Sequence, residues 1–91
     1  MSVRTRIFYD ELRRIVDRPG ELLLEGATVG ECLDDLVRRY PQAKPVMFDS
    51  SGRLHRRFYV FVNQESMRKA DMAQPVTDRD TLLLVALASG G

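Results

Sequence analysis

One strongly amphipathic helix limits what this chain can fold into more than any other sequence feature. Residues 28–31 (TVGE) form a capping-box pattern, in which the Thr28 hydroxyl can accept the backbone N–H of Glu31 and the Glu31 carboxylate can reach back to that of Thr28. Apolar residues then recur at helical spacing until Pro41 ends the helix, and the opposite side is charged. The apolar stripe consists of Val29, Leu33, Leu36, Val37 and Tyr40. Because such a stripe must be buried, the rest of the chain has to supply a second layer.

Strands are the elements that the remaining sequence supplies. Alternation, apolar runs and aromatic or β-branched content predict strands at residues 3–9, 21–25, 53–62, 67–69 and 81–87. Residues 10–16 have the spacing of a short helical turn, and residues 42–52, with Pro45 and the sequence DSSG, are predicted to form a loop. The last strand is apolar almost throughout, which is typical of a central strand covered on most of both faces.

Together these elements predict an α+β fold. The first two strands would form a hairpin, one main helix would lie across a mixed sheet of four to five strands, and the final strand would run through its middle. This order is the β-grasp arrangement. The predicted domain spans residues 1–88, and residues 89–91 (SGG) are expected to form a flexible tail because no side chain there can hold the backbone in place.

Composition excludes several functional classes. The 91 residues fit one domain, and 14 basic against 13 acidic residues give a net charge of +1, so we expect neither nucleic acid nor membrane as a partner. No apolar run approaches the roughly 20 residues that span a bilayer, and the N-terminus lacks the apolar stretch of a signal peptide. We therefore expect a cytoplasmic protein that is a monomer when free. The sequence contains no phosphate loop, catalytic set or metal-spaced cluster, so we expect no metal site and no catalytic residues.

Two isolated residues have a functional and a structural interpretation. Cys32, in the first turn of the helix, could be a nucleophile, but a lone Cys beside an apolar stripe more often packs in the core, and we interpret it in that way. His55, within RLHRR at residues 53–57, could belong to a phosphate or nucleic-acid patch. A solvated strand edge protected by charge is the interpretation that we favour, and docking to an acidic partner surface stays open.

Two segments resemble the ThiS/MoaD group of ubiquitin-like sulfur-carrier proteins. Residues 54–68 (LHRRFYVFVNQESMR) resemble the third-strand motif of the branch that supplies sulfur for cysteine biosynthesis. Residues 78–91 (DRDTLLLVALASGG) resemble the acidic turn, last strand and terminal Gly-Gly of the family. The element order is similar over nearly the whole chain.

The resemblance implies a sulfur carrier that is not itself an enzyme. In that family an E1-like adenylating enzyme activates the terminal carboxylate with ATP, a sulfur donor (a sulfurtransferase) replaces AMP to leave a thiocarboxylate, and a downstream biosynthetic enzyme accepts the sulfur. Carried onto this sequence, the adenylated and thiocarboxylated residue is Gly91, and Ser89, Gly90 and Gly91 thread into the partner's active site. No cofactor would be bound stably, because the partner enzyme uses the ATP.

The residue types suit this chemistry. An α-carboxyl with a pKa near ~3.5 is an anion at neutral pH and can attack the α-phosphorus of ATP. Glycines have no Cβ and fit a narrow catalytic cleft where a side chain would clash. Residues 85–88 (VALA) lack the aromatic-Pro-Pro run common in molybdopterin-synthase small subunits, which argues against a molybdopterin role. Arg79 occupies a turn position that is often Gly in the family, so the turn type is expected to differ.

The two longest strands contain two alternating sets of apolar residues. One set should face the helix, and the other would leave an apolar outer face that is a candidate partner-docking surface. The alternative is that the loop at residues 47–48 covers this face. The candidate docking residues are Tyr59, Phe61, Leu83, Val85 and Leu87.

Other functions stay open at this stage. The chain could be a ubiquitin-like protein modifier joined through Gly91 to lysines on target proteins, or a plain β-grasp interaction module whose tail has no role. A terminal Gly-Gly taken alone could also be a trivial frayed end. The β-grasp element order and the motif at residues 54–68 favour the sulfur carrier.

Overall fold

The computed structural model describes residues 2–16, 21–63 and 72–86 of the chain. The elements in chain order are β1 (Ser2–Phe8), α1 (Asp10–Val16), β2 (Glu21–Glu25), α2 (Val29–Arg39), a 3-10 turn (Pro41–Ala43), α3 (Lys44–Met47), β3 (Phe58–Val62) and β4 (Thr81–Ala86). Within the described ranges, no helix has the length and apolar character needed to cross a membrane.

The four strands form one mixed sheet in the order β2-β1-β4-β3. β1 and β2 are an antiparallel hairpin in which Val3 lies opposite Leu24. β4 runs parallel to β1 and antiparallel to β3, so the last strand lies in the interior of the sheet. This topology confirms the predicted α+β, β-grasp arrangement, with the final strand through the middle.

The hydrophobic core lies between one face of the sheet and the helices. Alternate residues of each strand are buried on this face, and α2 contributes its apolar stripe from above. Each fully buried leucine or phenylalanine stabilises the fold by about 1.5–3 kcal/mol relative to exposure. The fully buried side chains of largest volume include Phe58, Leu12, Leu24, Leu33, Leu36, Met47, Leu82 and Leu84.

The start of α2 follows the capping-box prediction with one difference. The Thr28 hydroxyl accepts the N–H of Glu31 at 3.1 Å, as predicted, but the Glu31 carboxylate accepts the N–H of Ala27 at 2.9 Å instead of that of Thr28. Thr28 is extended (φ −135°, ψ 164°) and forms an isolated bridge with Pro75. Because Thr28 is held in this extended conformation, the N–H of Ala27, the residue before it, is the one that reaches the Glu31 carboxylate.

The segment between α2 and β3 departs from the sequence-based prediction. The predicted loop at residues 42–52 contains α3, and the predicted strand at residues 53–62 is formed only over Phe58–Val62. The N–H of His55 donates to the carbonyl of Met47 at 2.9 Å, and the N–H of Phe58 donates to that of His55 at 3.0 Å. Leu54 forms an isolated antiparallel bridge with Phe48, so this backbone is bonded to residues 47–49 and does not join the four-stranded sheet before Phe58. The predicted strand at residues 67–69 and the predicted boundary between residues 88 and 89 lie outside the described residues.

Asp35 is a buried carboxylate that ties α2 to the hairpin. Its side chain is 2% exposed, and Oδ2 accepts the N–H of Glu25 at 2.9 Å. Arg38 and Arg39 both pair with the carboxylate, and Arg39 also donates to the carbonyl of Leu23 at 2.9 Å. Burial alone opposes ionisation, but the Glu25 hydrogen bond and the two guanidinium groups outweigh it and lower the pKa of Asp35.

We predict that Asp35→Asn destabilises the fold by about 1–2 kcal/mol at neutral pH, because the amide removes the charge that both arginines pair with and turns an N–H group toward them. The two arginines are solvent-exposed enough to be rehydrated, which limits the cost. Urea unfolding measures the difference. Asp34→Asn makes the same charge change on the exposed side of α2 and should alter stability by less than about 0.5 kcal/mol.

The same variant has a predicted pH dependence. The carboxyl has a lower pKa in the folded state than its ordinary value of 3.8, so its contribution is complete above that value and is lost as the pH falls through the folded pKa. Wild type and Asp35→Asn should therefore converge in stability in acid. A stability difference that stays constant with pH would show that the ionised form of Asp35 is not its source.

Candidate functional site

The face of the sheet that is turned away from α2 is apolar over half its width. Tyr59 and Phe61 on β3 lie opposite Val85 and Leu83 on β4, and all four are only partly buried. The rings of Tyr59 and Phe61 stack with centroids 6.2 Å apart. Four of the predicted docking residues are thus adjacent on one surface, and the fifth, Leu87, lies outside the described residues.

Phe8 extends this surface and was missed by the sequence reasoning. It lies opposite Val85 in the parallel pairing of β1 and β4, and its side chain is 50% exposed. The Arg6 guanidinium carbon lies 5.4 Å from the centroid of the Phe8 ring, within cation–π range. The alternation of buried Val3, Thr5 and Ile7 along β1 could have placed Phe8 on the outer face. We refer to Phe8, Tyr59, Phe61, Leu83 and Val85 as the outer-face patch.

The loop at residues 47–48 does not cover the outer-face patch. Met47 is fully buried in the core, and Phe48 packs against the same core cluster. Other partly buried residues also pack against this core cluster. In the described part of the chain, none of them is a member of the outer-face patch. The alternative in which this loop shields the outer face is therefore wrong.

A side-chain network holds the start of β4 against the end of β3. Asn63, which has a positive φ of 60°, donates to Asp80 Oδ1 and accepts the N–H of Thr81, both at 3.0 Å. The hydrogen bond from Asn63, followed by that from the Thr77 N–H, lowers the pKa of Asp80. Among the described residues, Asn63 alone of the non-glycine residues has a positive φ, so the turn at Arg79 does not require glycine. This network fixes the register in which β4 crosses the sheet.

The direction of β4 determines where the chain leaves the described domain. Ala86, the last residue of β4, pairs with Phe58, and Val85 pairs with Phe8. Both contacts lie at the end of the sheet where β1 finishes and β3 starts. Ser89, Gly90 and Gly91, the predicted reactive tail, lie outside the described residues.

Cys32 is a core residue, in agreement with the interpretation from the sequence. Its side chain is fully buried in the cluster between α2 and the sheet. Burial, together with the nearby carboxylates of Asp35 and Glu31, raises the pKa of Cys32 to about 11. The thiol is therefore protonated at neutral pH and inaccessible. The described residues contain no group of three or more His, Cys, Asp or Glu side chains that could hold a metal ion.

His55 is not on a strand edge, so that interpretation is wrong. It lies in the turn before β3, is half-buried, and its Nε2 lies 3.0 Å from the carbonyl oxygen of Pro45. Because a carbonyl oxygen can only accept, Nε2 carries the proton in this contact. The ring is thereby held against α3.

Comparison with known proteins identifies the family. The model of the ThiS family matches residues 7–91. The chain belongs to the ThiS family. Its β-grasp, ubiquitin-like fold is shared with several solved structures. Haloferax volcanii SAMP1, a small archaeal modifier protein, is 28% identical with a TM-score of 0.83 over 100% of both chains.

Two CysO structures are also similar to this ThiS-family chain. A chain of the Amycolatopsis orientalis BexX/CysO complex is 30% identical, with a TM-score of 0.78 over 98% of this chain and 99% of that one. Mycobacterium tuberculosis CysO is 25% identical, with a TM-score of 0.78 over 94% of this chain and 99% of that one. These similarities agree with the resemblance to sulfur carriers and place the chain in the sulfur-carrier, ubiquitin-like fold family.

The outer-face patch is predicted to contribute little to stability. Phe8→Ala should lower the free energy of unfolding by at most about 1 kcal/mol, because half of the side chain is already in water. Phe58→Ala, at 1% exposure, should cost about 3–5 kcal/mol through lost burial and a cavity. Chemical denaturation of both variants checks this contrast. Equal losses would mean that the patch belongs to the stabilising core.

Proposed function

We propose that this protein is a sulfur carrier whose working group is the α-carboxylate of Gly91. The observation that carries the proposal is the position of β4. This interior strand ends at Ala86 and is separated from Gly90 and Gly91 by only three residues, in a chain that the ThiS family model matches over residues 7–91. A folded domain thus precedes a short segment whose final two residues have no side chain.

In this mechanism the folded domain only has to present the C-terminal carboxylate to the partner enzymes. The Gly91 carboxylate attacks the α-phosphorus of ATP on an E1-like adenylating enzyme, and pyrophosphate leaves. The persulfide of a sulfurtransferase then attacks the acyl carbon and displaces AMP. A second thiol cleaves the resulting acyl disulfide, which releases the thiocarboxylate for a downstream enzyme and leaves a disulfide between that thiol and the donor cysteine. The partner enzyme supplies the ATP site, so the carrier needs no stably bound cofactor and no catalytic side chains.

The outer-face patch supports docking to those partners. It joins aromatic and aliphatic side chains over two neighbouring strands, beside the end of the sheet at which β4 finishes. Aromatic residues that stay partly exposed beside aliphatic ones are typical of interaction surfaces. One of the similar structures is a complex of CysO with a second protein, BexX, which is consistent with a carrier that works through protein partners. The similarity to two CysO proteins favours cysteine or another sulfur-containing metabolite as the final product.

Blocking the C-terminus is the decisive test. When the purified protein is incubated with its adenylating enzyme, ATP and a sulfur donor, intact-protein mass spectrometry should find a fraction in which sulfur replaces one carboxyl oxygen. Deletion of Gly91 or a C-terminal tag should abolish this species, whereas an N-terminal tag should not. Sulfur delivery that continues with a blocked C-terminus would refute the mechanism.

Charged residues in the outer-face patch should weaken partner binding without unfolding the domain. Leu83→Asp is expected to lower kcat/KM for adenylation about 10-fold or more, mainly through KM, because a carboxylate there would be desolvated at the interface. Leu23→Asp is the matched control, since Leu23 is 51% exposed on β2 at the far side of the sheet. Equal effects of both variants would exclude the patch as the docking site.

A protein modifier is the second candidate, favoured by the similarity to a small archaeal modifier protein. It would use the same activated carboxylate and transfer it to lysines of target proteins. Denaturing gels of cell extracts that contain the epitope-tagged chain distinguish the two functions. Covalent ladders that require Gly91 support the modifier, and a single small species supports the carrier.

A further inference from the structure

A groove of about 410 Å³ opens near the end of the sheet where β1 and β4 finish. It lies between the residue that follows β1, the first turn of α1, α3 and the turn before β3. Its polar lining is contributed by Tyr9, Glu11, His55, Arg56 and Arg57, with Pro45 on the α3 side. The groove is distinct from the outer-face patch, because Tyr9 packs against the hydrophobic core and its ring lies 6.4 Å from that of the buried Phe58.

Three of these polar groups are already held by neighbours within the domain. The Tyr9 hydroxyl donates to Glu11 Oε2 at 2.8 Å, and the His55 ring donates to the carbonyl of Pro45 at 3.0 Å. Arg56 and Arg57 are different. Both are exposed, and in the part of the chain that the structure describes no carboxylate lies within 4.0 Å of either guanidinium. The groove therefore contains two guanidinium groups, those of Arg56 and Arg57, that are not paired with a carboxylate. Its one carboxylate, that of Glu11, already accepts the hydroxyl of Tyr9.

The position of the groove relates it to the tail. Phe8 and Phe58 pair with the last two residues of β4, so Tyr9 and Arg57 stand one residue beyond those pairs. The polypeptide continues from Ala86 at this same end. A protein that takes hold of the residues after Ala86 is therefore brought close to Arg56 and Arg57.

We infer that this groove binds an acidic segment, rich in Asp or Glu, of the protein that receives the C-terminal residues. A guanidinium fork matches a carboxylate in shape and charge, and two adjacent arginines can each engage one. Charge pairs at the rim of an interface accelerate association and fix its orientation. This inference rests on the proposed function, because it assigns the acidic segment to a partner of the activated tail.

A titration of the full chain tests the groove directly. A ¹⁵N-labelled sample is titrated with an acidic peptide of sequence GDEDEG, blocked at both ends, and with the matched neutral peptide GNQNQG. The acidic peptide should cause saturable shifts at Tyr9, His55, Arg56 and Arg57 that weaken with salt, and the neutral peptide should not. Shifts spread over all arginines, or equal binding of both peptides, would overturn the inference.

Charge reversal supplies the matched control. Arg56→Glu with Arg57→Glu should weaken acidic-peptide binding about 10-fold, since each exposed arginine–carboxylate contact changes an equilibrium constant by about two- to five-fold. Arg4→Glu with Arg79→Glu makes the same charge change on two exposed residues at the opposite end of β4, and should have little effect. If the groove variant fails to fold, Arg56→Gln with Arg57→Gln is used instead. Equal weakening by the control pair would show that only net charge matters.

Competition identifies the class of ligand. Inorganic phosphate or a short single-stranded oligonucleotide that displaces the peptide at equal concentration would replace the acidic-protein assignment with a small-anion or nucleic-acid site. These titrations do not depend on Gly91. They therefore show whether the groove binds an acidic segment even if the C-terminus is never adenylated. In an adenylation assay that works with wild type, the groove variant should raise KM and leave kcat unchanged. An unchanged KM would refute the role in partner binding while leaving the proposed function intact.

Discussion

Parallel hydrogen bonding between β1 and β4 joins the first and last strands of the chain, and the other elements are arranged around this pairing. Parallel strands cannot be joined by a tight turn, so the chain must pass through a long connection before it returns. That connection contains α2, which covers one face of the sheet. Closing so large a loop is entropically unfavourable, and the burial of Leu82 and Leu84 against the core offsets this cost.

The same pairing separates the residues that stabilise the domain from those available for association. Side chains of β3 and β4 alternate, so Phe58 and Val60 enter the core while Tyr59 and Phe61 remain on the outer face. Because β4 is an interior strand, its outer residues are surrounded by neighbours on both sides and form a continuous surface. An apolar outer face is therefore a direct consequence of placing a strand of leucines in the middle of a two-layer fold. The groove beside the end of β1, in contrast, is lined by the exposed side chains of Arg56 and Arg57.

The elements that a local sequence pattern determines could be predicted correctly. Those whose extent depends on backbone hydrogen bonds between residues distant in the chain could not. The bounds of β2 and the start of α2 followed from an apolar run and a capping residue, both of which act within a few positions. The extent of β3 could not be predicted in this way. Residues 53–57 have strand-like composition, but the N–H of Arg53 donates to the Asp49 carboxylate and the N–H of His55 donates to the carbonyl of Met47 instead of to a neighbouring strand of the sheet. The His55 contact with Pro45 and the basic groove depend on the same tertiary placement. The outer-face position of Phe8 could have been predicted from the alternation of buried and exposed residues along β1. The positive charge of the groove could not be predicted, because it depends on which residues the tertiary fold brings together.

The burial of Cys32 has a consequence for the proposed chemistry. An adenylated C-terminus is an acyl donor that reacts with thiolates and releases AMP, and this sequence contains one cysteine. Because burial raises the pKa of Cys32 to about 11, the thiol is protonated at neutral pH. The thiol is also enclosed by the core, so the activated carbonyl cannot approach it without unfolding of the domain. Under the proposed function, the domain therefore offers no accessible cysteine thiol that would capture the activated C-terminus, and the nucleophile has to come from a partner protein.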